Sequence, residues 1–473
     1  MGSNPETKFW VICPICQRAS PAGTTYCKHC WGASLSSGTL VPDEELDAVL
    51  KDRASRLKRR KLIRTVIVSL ISAALLFSAI YYGLYNFTDI VARPHEDITS
   101  DSLIGEWSMF RHDLARSGTV NLENSLPQGV IKWTFSVDIP IKSSPVIVDD
   151  IVYFGAQDSK FYALNAVTGD KLWEYNTGGW IESSAAVVNG VVYFGSNDGK
   201  LYALDAYSGE KFWDFETPYP IMSSPAVADG VIYFGAGDFY VYAVDIEKGE
   251  KLWRFLAGGL INSSPVVANG ILYIGSGSEY CYALDAKSGR LRLKFKTYHS
   301  VISSPAVNGG IVYFNTSKGF LYAVDGNART WPYEHQLKPF WIQLWGMGLP
   351  LPEPPMQSGF LWVLNIGRTS FSTPIIANDI TYVGSDNKLV AVDVQQRKKI
   401  WEFEAEDVVR SSPALVDNVI YVGSEDGKLY AVDAVLGEKL WDITTEGKIT
   451  ASPAVVNGVV YISSHDGKLY AIE

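Results

Sequence analysis

Four of the five cysteines in this 473-residue chain fall in one short run near its start, as Cys13-Pro-Ile-Cys16 and Cys27-Lys-His-Cys30. Two C-x2-C pairs joined by a ten-residue loop can close four thiolates around a tetrahedral ion, and zinc is the ion such a set suits. A shell of four sulfurs leaves no open position for a substrate. The expected chemistry is therefore structural, a single zinc ion whose binding folds a module too small to hold a core of its own. His29 is an alternative ligand, but four thiolates already complete the shell. The expected unit is a zinc ribbon over residues 1–35.

Thiolate ligation suits a reducing compartment, and the next segment says on which side of a membrane that lies. From Thr65 to Thr88 the chain has 24 residues without a charge, rich in Ile, Leu, Val, Ala and Phe. At about 1.5 Å per residue these can cross a hydrocarbon layer of roughly 30 Å. Seven cations crowd the N-terminal boundary, from Arg53 to Arg64, while Tyr81, Tyr82, Tyr85 and Phe87 form an aromatic belt at the other. The positive-inside rule then places the ribbon in the cytoplasm and everything after the span outside. A cleaved signal peptide has a short charged leader and a small-x-small site after its apolar run; neither is present, so an uncleaved anchor is expected. The span is set at 62–88. The preceding 36–61 is read as a basic juxtamembrane helix or linker, acidic at its start in Asp43-Glu44-Glu45 and basic at its end, as the helix dipole favours, and is expected to feed straight into the span.

Charge follows the same partition. The chain carries a net charge of −10, with +5 on residues 1–64 and −15 on the rest. An acidic outer domain excludes nucleic acid as a partner held by bulk electrostatics.

Beyond a linker and lead-in at 89–130, one pattern recurs eight times. Each unit opens at a Ser-Ser-Pro-like start whose reference residue is Ser144, Ser184, Ser224, Ser264, Ser304, Thr373, Ser412 or Ser452, in steps of 40, 40, 40, 40, 69, 39 and 40. Within a unit, Pro225-Ala226-Val227 runs into Asp229-Gly230, a type I′ hairpin signal, then a Tyr-Phe-Gly strand, a Tyr-Ala-Val-Asp strand and a closing Trp253. A period near 40 built of short strands predicts an all-β fold, an eight-bladed β-propeller over 131–473, because one four-stranded blade must stack on its neighbours to bury both faces. The last unit stops at Glu473 before its fourth strand, and Ile131–Phe135 has the missing strand's pattern. It is expected to complete the last blade and close the ring. Trp133, Trp173, Trp213, Trp253, Trp362, Trp401 and Trp441 each precede the next reference residue by 11 positions, and are read as packing between blades; only Leu293 breaks the series.

These units resemble the tryptophan-motif repeats of PQQ-like, quinoprotein-type propellers, in stretches such as Ala203-x-Asp205-x3-Gly209-x3-Trp213 and Ala431-x-Asp433-x3-Gly437-x3-Trp441. In that resemblance Trp107 to Asp113 is the lead-in. It implies one of two functions: a quinone-dependent dehydrogenase, or a non-enzymatic scaffold similar to BamB. The dehydrogenases carry adjacent cysteines, an acidic calcium site and a catalytic aspartate. Here the propeller has the single Cys281, and its aspartates recur at turn positions Asp205, Asp245, Asp285 and Asp433, where they cap backbone. PQQ is therefore not expected, nor catalysis, and a scaffold with a protein partner outside the membrane is. A quinoprotein dehydrogenase is the alternative, and a sensor that couples an outside ligand to the ribbon is a third.

Two places are candidates for that partner. The 69-residue step inserts 29 residues after Asp325, in a loop set at 327–357 of blade five that carries Trp331, Phe340, Trp341 and Trp345 and a proline-rich Leu349–Pro355. It either packs on the propeller or meets a partner or membrane surface. The second is the residue two before each reference position: Lys142, Glu182, Met222 and Asn262, then Ile302, Phe371, Arg410 and Thr450. These vary while their surroundings repeat, and should ring one mouth of the channel. Lys142 and Glu182 can also simply pair with each other.

Overall fold

A computed structural model describes residues 8–30, 34–87, 108–113, 118–120 and 126–473. The chain divides into two compact units, residues 1–91 and 92–473. Trp107 and the side chains of Tyr81, Tyr82, Tyr85 and Phe87 lie outside the described set.

In the first unit, strands β1 (Phe9–Ile12), β2 (Ala19–Pro21) and β3 (Thr39–Pro42) form an antiparallel sheet in the order β2-β1-β3. The ribbon therefore ends at Pro42 rather than at residue 35, since β3 supplies its third strand. Gly38 admits that strand, because a Cβ there would lie 2.4 Å from the Val11 side chain. Helix α1 (Asp43–Phe87) follows without a break and runs for 45 residues, about 68 Å at the usual rise. The basic and the apolar segments are thus one rod. Its apolar side chains from Leu62 to Ile80 are exposed, and the helix is long and apolar enough to cross a membrane.

The second unit is the predicted ring of eight four-stranded antiparallel blades. Blade two shows the plan: A (Ala186–Val188), B (Val191–Gly195), C (Lys200–Asp205) and D (Lys211–Glu216), hydrogen-bonded in that order. Strands A, B and C are largely buried, while D is exposed or half-buried along its length. The aspartate ending strand C caps the turn as expected, Asp205 Oδ1 accepting from the Tyr207 and Ser208 amides at 3.0 and 2.7 Å.

Blades are joined by three repeated contacts. The indoles of six strands D donate to a carbonyl of the next blade, as Trp173 does to Ala206 at 3.0 Å and Trp253 to Ala286 at 2.9 Å. The same ring lies flat on the glycine of the next C–D turn. Gly209 (φ +74°) would place a Cβ 2.7 Å from the Trp173 ring, so the position requires glycine on two counts. Two blades depart from this plan: the turn of blade six that follows Trp362 has Arg397 (φ +57°) in place of the glycine, and in blade five the chain leaves the turn at Arg329 to enter the insertion, where blade four carries Leu293 in place of the indole. The third contact runs around the axis: the backbone N–H of each reference residue donates to the hydroxyl of the next, from Ser144 to Ser184 (2.9 Å), Ser304 to Thr373 (3.2 Å), and finally Ser452 back to Ser144 (2.8 Å). Eight hydroxyls thus close a complete circle.

The two ends of the domain meet as expected. Ile131–Ser136 pairs with Lys468–Ile472, and Val130 and Glu473 exchange backbone hydrogen bonds of 2.8 Å. Gly129 lies under Trp441, whose indole donates to Pro127, so the C–D turn of blade eight is rebuilt from the other end of the domain. Strand β4 (Thr119–Val120) adds parallel to strand A of blade seven, at Leu415 and Val416.

Candidate functional site

The ribbon brings its four cysteines together. Cys13 and Cys27 are buried, their sulfurs lie 3.5 Å from Cys30 and 3.4 Å from Cys16, and no two of the four are farther apart than 4.8 Å. A tetrahedron with 2.3 Å metal–sulfur bonds has edges of about 3.8 Å, so the set fits one ion. Burial pushes the Cys13 thiol up, and the amides of Cys16 and Ile15 outweigh it, bringing it down to about 6. The His29 amide lowers Cys27 through an N–H···S contact of 3.4 Å. These donors favour the thiolate that a metal needs. The His29 ring instead meets Arg18 at 3.3 Å and is not a member of the cluster. Arg53 of α1 donates to the carbonyls of Cys16 and Gln17, and Trp10 to Asp43 at 2.6 Å, so the helix clamps the loop that carries the first pair.

On the propeller axis, all eight positions that precede the reference residues line one cavity of about 230 Å³, together with the hydroxyl circle. The mouth has two halves. Blades three to six contribute Met222, Asn262, Ile302 and Phe371, and blades seven, eight, one and two contribute Arg410, Thr450, Lys142 and Glu182. Lys142 does pair with Glu182, at 3.0 Å, and Gln157 donates to the same carboxylate oxygen at 2.6 Å. Arg410 donates to Glu425 and lies 4.2 Å over the Phe371 ring, bridging the halves. Burial pushes Glu425 up, but Lys448 and Arg410 hold its carboxyl below the ordinary range. Thr450 meets His465 at 2.7 Å, and burial lowers His465, keeping the ring neutral.

Gln157, Glu425 and His465 form a second tier that the sequence reading missed. They lie 13 residues after their reference residues, where blades three to five carry Gly237, Gly277 and Ser317. The signal was present: polar residues back the charged half of the mouth, with Asn197 in blade two, while blades three to five carry small ones and blade six Asp386.

The channel is closed from within. Ser108 accepts from Val187 at 2.7 Å and Met109 bridges to Ala186, both on blade two; Arg111, buried, donates to the Thr373 and Pro374 carbonyls on blade six at 2.8 and 3.2 Å. Blades two and six face each other across a ring of eight. The lead-in therefore crosses the axis, and Phe110 lines the cavity it closes.

The insertion is not a bare loop. It contains helix α2 (Glu334–Gly346) and docks along strand D of blade four (Leu291–Lys296): Thr330 bonds Arg292 and Lys294, and His335 Nε2 meets the Lys294 carbonyl at 2.8 Å. Its four aromatic candidates do not share a face. Trp331 is half-buried, Trp341 folds back to donate to Pro352 at 2.9 Å, and Phe340 and Trp345 are exposed.

A family model described as "Outer membrane protein assembly factor BamB" matches residues 125–183, 177–264, 237–396 and 385–473. No curated protein sequence matches the chain significantly. Among solved structures, the quinohemoprotein alcohol dehydrogenase of Comamonas testosteroni aligns at 16% identity with a TM-score of 0.63, over 78% of this chain and 80% of its own. BamB from Moraxella catarrhalis aligns at 17% and 0.58, over 73% of this chain and 99% of its own. A europium-containing methanol dehydrogenase aligns at 14% and 0.62, over 78% and 98%. Identities this low carry the fold alone.

Proposed function

The chain belongs to the BamB-type family of PQQ-like repeat propellers, and from that premise we propose that it is a membrane-anchored, extracytoplasmic scaffold that binds a protein partner at the channel mouth and catalyses nothing itself. One observation carries this reading. The frame of the propeller repeats almost residue for residue, yet the eight related positions of the mouth hold eight different side chain types, sorted into an apolar half and a charged half. Three of four residues in one half are apolar, the exception being Asn262, and three of four in the other are charged, the exception being Thr450; a surface that varies in this way on a frame that does not is what selective recognition of an asymmetric partner needs.

The four-thiolate ribbon holds one structural zinc ion and lies in the cytoplasm, with α1 as a single-pass anchor and the basic run on the inner side. The competing reading, a quinone-dependent dehydrogenase, is supported by likeness of fold. Against it, Glu182 and Glu425 at the mouth are each engaged by neighbouring donors rather than grouped for a cation, and Cys281, buried in strand C of blade four, has no neighbouring cysteine.

The test is affinity capture from envelope membranes with the full chain and with Met222→Asp/Arg410→Glu, which alters both halves of the mouth. The wild type should retain a defined partner that the variant loses. Identical retention by both, or reduction of an artificial electron acceptor by the protein supplied with PQQ, calcium and an alcohol, would refute the proposal.

A further inference from the structure

Helix α2 is amphipathic in the wrong sense for a soluble surface. Its inward stripe is polar at its start: Glu334 is 1% exposed and accepts from the Ser358 amide at 2.8 Å, pinning the two ends of the insertion together, and His335 is half-buried. Its outward side is mainly apolar, with Leu337 51%, Phe340 59%, Ile342 48% and Trp345 45% exposed and Met347 63% exposed just beyond its end, Gln336 and Gln343 being the polar residues among them. Leu349 and Leu351 of the proline-rich segment continue the same exposure. A helix whose most buried residue is a carboxylate, while most of its aromatic and aliphatic side chains are exposed, presents a patch that water does not stabilise.

The charge around the patch identifies what covers it. The strand on which α2 docks, with the turn before it, carries Lys287, Arg290, Lys294 and Lys296 besides the buried Arg292, and no acid between them, within a stretch of chain whose net charge is −15. An anionic surface is repelled by most of this propeller and attracted here. Aromatic and aliphatic side chains beside cations, on a short helix lying along the domain surface, are the composition of an element that rests in a bilayer interface. The tether supplies proximity. Only twenty residues, 88–107, separate α1 from the first described residue of the propeller, a contour of at most about 70 Å, so a weak interfacial contact acts at high effective concentration.

We propose that α2 and the segment through Leu351 dock on the surface of an anionic bilayer, the same membrane that α1 crosses, and so set the direction in which the channel mouth faces. The proposal rests on the anchor reading of α1, and the experiment separates the two. Full-length protein is reconstituted into nanodiscs of phosphatidylcholine, with or without phosphatidylglycerol, and amide exchange is followed over residues 334–351. Exchange there should slow at least about tenfold in the anionic discs relative to the zwitterionic ones, and the slowing should vanish in Phe340→Asp/Trp345→Asp. Both side chains are exposed, so the variant keeps the wild-type melting temperature. Equal exchange in the two lipids, slowing that survives in the variant, or slowing that requires added envelope protein would each overturn the proposal. Failure of the chain to enter the discs would overturn the anchor instead; the same exchange measured with phosphatidylglycerol vesicles then still decides the docking.

Discussion

Replacing Ser184 by Ala removes one hydroxyl from the circle around the axis and leaves the Ser144 amide without the acceptor it meets at 2.9 Å. Both residues are buried, so water does not replace the lost bond freely. Leaving such a donor unsatisfied costs about 1–3 kcal/mol. For a domain of about 350 residues, with an unfolding entropy near 2.1 cal/mol/K per residue, a loss of about 2 kcal/mol lowers the melting temperature by about 3 °C at a fixed scan rate. Ser184→Thr retains the hydroxyl, as Thr373 does in the natural circle, and should keep most of the stability. The direct readout is amide exchange at Ser144, which should accelerate in Ser184→Ala and not in Ser184→Thr. If the Ala variant melts within half a degree of wild type and the Ser144 amide exchanges at the wild-type rate, the hydroxyl circle does not hold the blades together.

Gly209→Ala should destabilise by about 2 kcal/mol or more, through its positive φ and a Cβ 2.7 Å from the Trp173 ring, whereas Gly258→Ala, with similar φ and nothing within 4 Å, should show the backbone cost alone; thermal melts that rank them equally would remove the platform from the argument. Cys13→Ser/Cys27→Ser should abolish stoichiometric zinc by elemental analysis and unfold residues 8–42 without shifting the propeller transition, because the metal supplies the folding energy of the ribbon. Glu174, Asp214 and Glu402 each lie between two lysines, such as Lys388 and Lys399 at 2.8 and 2.6 Å from Glu402, which hold these carboxyls below the usual range. Their folded-state values are depressed, so the stabilisation is present above the unfolded value of about 4 and lost as pH falls through the folded one; the melting temperature should stay level from pH 7 to about 5 and then drop, less so in Glu402→Gln.

Much of this molecule is written locally. A blade is a local object, so the period of 40, the Asp-Gly hairpins and the turn aspartates predicted strands, blade count and closure by Ile131–Ser136, and C-x2-C spacing alone predicted the thiolate cluster. The continuous α1 was legible for the same reason, since helix dipole and hydropathy act within one segment. What the period could not reveal were the residues that do not repeat. Arg53 reads as one more cation at a membrane boundary until the fold brings it to the carbonyls of Cys16 and Gln17. Leu293 looks like a missing indole until the fold shows that the turn next to it is the one from which the chain leaves for the insertion. Arg111 carries no signal that it reaches Thr373, 262 residues away, and so no signal that the lead-in bars the channel. The insertion reads as a loop rich in aromatics, and only docking on blade four decided that α2 turns Glu334 inward and Phe340 outward. Repeated environments leave their mark on sequence because each unit meets the same constraint eight times. A contact made once, between segments far apart in the chain, has no such repetition, and is decided when the ring closes and brings them together.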